Sequence, residues 1–185
     1  MQRSRGRSAN TAAGVWGVSG EPTEIALLVM AAKAGYTREG NEYERTGEIP
    51  FDSDRKRMTV HVRDKHGQAL SFSTGAPDLP RRRCKYVMTG GGSVLMTPAH
   101  RRTIEQNAEA MAEQALRVLG FAYKEGFGKD TAEQDMVFVG LAGMLDPPRK
   151  EAYEAVSRCK TAKIRTVMIT GDHKATACAI AKDLG

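Results

Sequence analysis

The chain has 185 residues, 41% hydrophobic and 27% charged, a balance that excludes disordered, collagen-like and low-complexity classes and allows a sizeable core. The longest uncharged apolar runs, Ile25 to Ala32 and Val137 to Leu145, fall far short of the ~18 residues of a membrane span, and no secretory leader follows Met1. Three cysteines, Cys84, Cys159 and Cys178, form no C-x-x-C pair and read as reduced thiols. Half of the net charge of +6 comes from Arg3, Arg5 and Arg7. The rest of the chain is nearly balanced, which argues against a nucleic-acid partner.

Residues 1–20 mix Arg, Ser, Ala and Gly without periodicity and read as a loose basic tail. Glu21-Pro22-Thr23 then opens a helix that Gly35 stops, with Ile25, Leu28, Val29 and Ala32 on one apolar face. Met58, Val60 and Val62 alternate with polar residues, Asp64 to Gly67 is a turn, and Leu70 and Phe72 alternate again. Residues 57–74 therefore predict a hairpin. A short helix is expected near Asp78 to Cys84, a loop at Gly90-Gly91-Gly92, a helix from about Ala99 to Met111 and a strand from about Ala115 to Tyr123. This is an α+β layout, an antiparallel sheet with flanking helices.

After Gly128 the pattern changes. Val137 to Met144 reads as a strand covered on both faces. Asp146-Pro147-Pro148 starts a helix to about Ala162, Ile164 to Ile169 reads as a second buried strand, and a helix follows with Thr176, Ala177, Ile180, Ala181 and Leu184 inward. The β-α-β-α order predicts half of a doubly wound parallel sheet, whose ligands sit at the carboxyl ends of strands. Asp146 and Thr170-Gly171-Asp172 stand at two such ends.

Six segments, in order, carry a family resemblance: Gly20-Glu21-Pro22-Thr23-Glu24, Phe51-Asp52-Ser53-Asp54-Arg55-Lys56-Arg57-Met58, Gly75-Ala76-Pro77-Asp78, Leu116-Arg117-Val118-Leu119, Met144-Leu145-Asp146-Pro147-Pro148-Arg149, and Met168-Ile169-Thr170-Gly171-Asp172-His173-Lys174-Ala175-Thr176-Ala177. From about Gly20 to Gly185 the sequence resembles the cytoplasmic region of P-type cation-transporting ATPases, nearest the calcium-pump type. The resemblance implies a nucleotide-binding domain over 21–127. Over 128–185 it implies part of an α/β, haloacid-dehalogenase-like phosphorylation domain. It also implies ATP-driven ion transport through an aspartyl-phosphate with Mg²⁺.

Carried over residue by residue, the resemblance makes Phe51 the adenine-stacking aromatic with Met58 beside it, and Glu24 the acid near the adenine. It makes Arg117 a phosphate contact, Thr74 and Gly75 the strand end that faces the nucleotide, and Arg149 a nucleotide contact that bridges the closing domains. Asp146, Thr170, Gly171 and Asp172 become nucleotide and phosphoryl-site support. Structural readings stand beside these: Phe51 as a core residue, Glu24 as a first-turn acid, Arg117 and Arg149 as solvated cations, Asp146 and Asp172 as helix caps. Arg81-Arg82-Arg83 with Lys85 reads as a solvated helix face. Asp52-Ser53-Asp54 is not a nucleophile pair, because no apolar strand precedes it. The triple glycine is no phosphate cradle, because no G-K-[ST] follows.

Three departures qualify the resemblance. Neither Asp-Lys-Thr-Gly-Thr, which carries the family's phosphorylated Asp, nor the Mg²⁺-binding Gly-Asp-Gly-x-Asn-Asp is present. Thr74 replaces the family's nucleotide-site Lys, and Ser53 stands where calcium pumps often have Arg, which removes a charge from the site. The expectation is therefore a piece of a pump. It binds ATP but is inactive alone, holds no metal, is not membrane-inserted, and has as partners ATP and the pump's transmembrane and actuator regions at the cytoplasmic face of a membrane. The alternative is a stand-alone, non-catalytic ATP-binding module.

Overall fold

The computed structural model describes residues 7–10, 16–19, 21–36, 43–114, 116–126, 132–145, 148–169 and 174–185. The chain forms two units, residues 1–42 and 43–185. In the first, β1 (Arg7–Asn10) pairs antiparallel with β2 (Trp16–Ser19), Arg7 opposite Ser19 and Asn10 opposite Trp16. This corrects the expected loose tail. A two-stranded ribbon is held by main-chain bonds, which leave no side-chain periodicity to read. Helix α1 (Pro22–Lys33) starts with Pro in its first turn and ends before Gly35, whose φ of 81° requires glycine. Its expected apolar face is not buried, and Leu28 and Val29 are exposed.

The second unit is built on a seven-stranded sheet. Its strands are β3 (Glu44–Asp52), β4 (Arg57–Arg63), β5 (Ala69–Gly75), β6 (Cys84–Thr89), β7 (Gly92–Leu95), β8 (Arg117–Glu125) and β9 (Met136–Met144), in the order β3-β4-β5-β8-β9-β6-β7. The expected 57–74 hairpin is β4–β5, with Met58 opposite Thr74. The sheet is mixed, not purely antiparallel, because β6 runs parallel to β9. Three of these strands are not predicted by the sequence pattern. β3 is a polar edge strand interrupted by Pro50, the composition that protects an edge. β6 and β7 are joined at Gly90-Gly91, a two-residue hairpin turn in which Thr89 faces Gly92.

Helices α2 (Leu79–Arg83) and α3 (Pro98–Glu113) pack on one face, against β6, β8 and β9. α3 starts at a reciprocal cap: Thr97 Oγ1 accepts from the His100 N–H at 3.2 Å, and His100 Nδ1 accepts from the Thr97 N–H at 3.3 Å. The core there contains Leu79, Cys84, Val87, Met96, Ala122, Met136 and Phe138, with Ile104 and Leu141 against it.

The break expected at residues 127 and 128 falls within this sheet. β9 pairs with β8 on one side and β6 on the other, so it completes the first domain's sheet. Ile164 to Ile169 is not a buried strand: it has no partner among the described residues, and Ile164, Val167 and Ile169 are 59%, 72% and 94% exposed. A parallel strand needs a neighbour to bond, and β9, its expected partner, is already paired on both edges. No half of a doubly wound sheet forms among the described residues of 128–185. Helices α4 (Lys150–Thr161) and α5 (Lys174–Asp183) do form, and the Tyr153 hydroxyl donates to Asp183 between them. The Asp183 carboxylate and partial burial raise the Tyr153 pKa.

Candidate nucleotide-binding face

Side chains alternate between the two faces of a strand. On β4, Arg57 and Thr59 are buried while Met58 and Val60 are half-buried. On β5, Ser71, Ser73 and Gly75 are buried while Thr74 is half-buried and Phe72 exposed. Met58 faces Thr74, and Thr74 faces Phe121 on β8. One face of the sheet thus carries Met58, Thr74 and Phe121 side by side. Alternation along β8 adds Leu119 and Arg117 to that face, as the sequence predicts. Arg117 is exposed opposite Met144, four residues from Phe121, or about 13 Å along the strand.

Phe51 joins this face through a bulge. Ile49 faces Thr59 and Asp52 faces Arg57, which leaves Pro50 and Phe51 opposite Met58 alone. Phe51 is 64% exposed, so it is not a core residue. The Asp52 carboxylate accepts the Asp54 and Arg55 N–H groups at 3.0 and 2.9 Å, and the Arg55 bond leads in lowering its pKa. This is turn chemistry, in keeping with rejection of Asp52-Ser53-Asp54 as a nucleophile pair. Gly75 has its own reason to be glycine. A Cβ there would lie 2.7 Å from Arg57 Cβ and 2.8 Å from the Lys56 carbonyl oxygen.

Beneath this face lies a group that the sequence does not announce. The Glu133 side chain, 11% exposed, receives Arg57 Nε at 2.7 Å and Arg57 Nη2 at 2.6 Å. Arg55 Nη1 donates to its two oxygens at 2.9 and 3.0 Å, and Thr59 Oγ1 donates at 2.8 Å. Thr59 also bonds Ser73 Oγ at 2.5 Å. Burial raises the Glu133 pKa, but the hydrogen bonds from Arg57 and Thr59 and the two guanidinium charges outweigh it and hold the carboxyl below its ordinary value. No local pattern marks Glu133, because its partners lie 74 to 78 residues away.

The other expected site residues do not lie on these strands. Glu24 is exposed in the first turn of α1, in the other unit. Arg149 is exposed at the N-cap of α4 and its side chain makes no capping bond. Asp146, Thr170, Gly171 and Asp172 lie outside the described residues. Arg82 is exposed in an ion pair with Asp78, as a solvated helix face would be. The Cys84 thiol is buried and desolvation pushes its pKa up to about 12, which makes it inert. Among the described residues no helix is long and apolar enough to cross a membrane.

Residues 4–151 match the family described as P-type ATPase, cytoplasmic domain N. The chain is 46% identical to calcium-transporting ATPase 1 of Bacillus cereus over 90% of its own length and 19% of that protein's, and 40% identical to the calcium-transporting ATPase of Bacillus subtilis over 92% and 20%. It is 42% identical to a sodium/potassium exporting P-type ATPase of Schizosaccharomyces pombe over 95% and 18%. The chain thus spans about a fifth of the length of the curated relatives it matches. With an N-domain match that covers most of the sequence and ends just beyond the strand that completes the sheet, the chain belongs to the P-type cation-transporting ATPases.

Proposed function

We propose that the open sheet face binds ATP for a P-type cation pump, with calcium as the transported ion. The observation that carries this reading is an exposed aromatic ring, Phe51, set by a bulge beside Met58 and Thr74 on a face that continues to a cation, Arg117. The adenine stacks on Phe51, with Met58 at its edge. The triphosphate extends toward β8, where Arg117 pairs with it and Thr74 offers a hydroxyl. Arg149 approaches the phosphates. Gly75 lets β5 run close against the β3–β4 turn. The calcium assignment is supported by the names of the two bacillar relatives.

From about Pro148 onward the chain leads into the haloacid-dehalogenase-like phosphorylation domain, in which Thr170, Gly171 and Asp172 support the phosphoryl site, while Asp146, just before it, contacts the nucleotide. The end of the family match at residue 151 favours a boundary here over one at 127. The nucleotide would carry Mg²⁺ on its phosphates, and the family's Gly-Asp-Gly-x-Asn-Asp segment that holds the ion is not among these 185 residues. The chain by itself forms no aspartyl-phosphate, for want of the Asp-Lys-Thr-Gly-Thr nucleophile. The test is an amide chemical-shift titration with ATP. Shifts are expected at Phe51, Met58, Thr74 and Arg117. Shifts confined to the opposite face, around Arg83 and Arg101, would refute the placement.

A further inference from the structure

The Glu133 cluster is costly as a stability device. It takes one carboxylate and two guanidinium groups largely out of water, and such buried charge clusters often give little net stability over apolar residues of like volume. Its geometry points to another role, because the arginines do not spend all their donors on Glu133. Arg55 Nη2 donates to the Pro50 carbonyl at 2.8 Å and to the Arg57 carbonyl at 3.3 Å, and Arg57 Nη1 donates to the Arg55 carbonyl at 2.9 Å. The three carbonyls lie near the end of β3, in the β3–β4 turn and at the start of β4. The Pro50 carbonyl belongs to the peptide plane that leads into Phe51.

We propose that Glu133 is a positioning residue for Phe51. It anchors Arg55, Arg55 holds the Pro50 carbonyl, and that peptide plane sets the bulge that turns the Phe51 ring out beside Met58. A bulge residue lacks a ladder partner of its own, so its peptide needs an outside donor to keep one orientation. Arg55 is that donor, and its planar fork spans a carboxylate and a carbonyl together, which a lysine cannot do. The second anchor, from Arg57 to Glu133, fixes the return side of the same turn. The aromatic face is thus shaped from below by a residue at the mouth of β9. The proposal rests on the reading that Phe51 stacks on the nucleotide.

The test is a double-mutant cycle on the 185-residue chain, with adenosine as the probe so that phosphate contacts play no part. Glu133→Gln keeps the size and removes the charge. It should raise the adenosine dissociation constant about three- to tenfold when Phe51 is present and leave it unchanged in Phe51→Ala. Arg55→Lys keeps a charge on Glu133 but loses the reach to Pro50, and should act in the same way. Since Arg55 is the more exposed partner, this variant stands in if Glu133→Gln does not fold. The amide signals of Phe51 and Asp52 should move in both variants. An equal loss of affinity in both backgrounds means a general structural role and overturns the proposal, as does unchanged affinity in both variants. If the parent chain binds no adenosine, the nucleotide reading fails separately. The Phe51 amide then decides alone: a shift supports the positioning role, and an unmoved signal overturns it.

Discussion

Replacing Phe51 by alanine separates a stacking platform from a packing residue. A phenylalanine side chain buries ~200 Å² when fully covered, and Phe51 is 64% exposed, so ~130 Å² of it meets water. A stacked base covers one ring face, about half of that, or ~65 Å² at ~25 cal/mol/Å², which comes to ~1.6 kcal/mol. That lies inside the ~1–3 kcal/mol measured for aromatic–base stacking and corresponds to a ~15-fold rise in the dissociation constant. The loss should be the same for ATP and adenosine, because both carry the base. The folded state should lose little, roughly 0.5 kcal/mol, since most of the ring is outside the core. Titration calorimetry with both ligands, paired with thermal unfolding, reads the two quantities. Unchanged affinity would refute the stacking argument. A fall in unfolding temperature of ten degrees or more would show that the ring packs, not stacks.

Thr74→Lys restores a charge beside Met58 and should improve ATP affinity by about fivefold but adenosine affinity hardly at all, with the gain shrinking as salt rises, in parallel titrations of the two ligands. Arg117→Ala should weaken ATP by up to about fivefold and spare adenosine in the same assay. Incubation with γ-labelled ATP and Mg²⁺ followed by acid quench should leave no hydroxylamine-sensitive label on the chain, and stoichiometric label would refute the missing-nucleophile argument. For pH, the folded Glu133 pKa lies below its ordinary value of 4.5. The native state therefore gains stability from this group above pH 4.5 and loses it as pH falls through the lowered pKa. Thermal unfolding from pH 7 to pH 3 should show wild type losing more stability than Glu133→Gln, and parallel curves would count against that sign.

The parts of the fold visible in the sequence share a local cause. The β4–β5 hairpin, α1 with its Pro22 start and Gly35 stop, and α3 are marked by periodicity and end signals within a dozen residues of one another. β3 carries no such mark, because an edge strand can be polar and can hold a proline. β6 and β7 carry none either, because the glycines that join them read as a loop and not as a hairpin turn. The opposite error arises at Val137 to Met144. A continuous apolar run predicts a strand covered on both faces, but in β9 only Met136 and Phe138 are buried and Val139 is exposed; the run marks a strand paired on both edges, and nothing local states which sheet supplies the neighbours. Ile164 to Ile169 has a similar run and pairs with no strand among the described residues. For the site, alternation alone puts Arg117, Leu119 and Phe121 on one face. The bulge that places Phe51 beside Met58 depends on the pairing register, and Glu133 depends on contacts more than seventy residues apart. Neither leaves a trace in a short window.

The register also gives the proposed site a direction. Phe51 and Met58 lie on the two strands at one edge of the sheet, while Arg117 lies on β8, beyond the end of β5, opposite Met144 at the end of β9. Arg149 follows Met144 by five residues, across Pro147 and Pro148. A nucleotide with its base on Phe51 and its phosphates on Arg117 therefore points its reactive end along the exit of β9. Residues whose order in the chain is base-binding first and phosphate-binding last thus line up across the sheet in the same sense. β9 itself begins three residues after the Glu133 anchor that holds the Phe51 turn. β9 therefore ties the base-binding end of the face to its phosphate end through one run of paired backbone, and a change in pairing along β9 would alter both ends together.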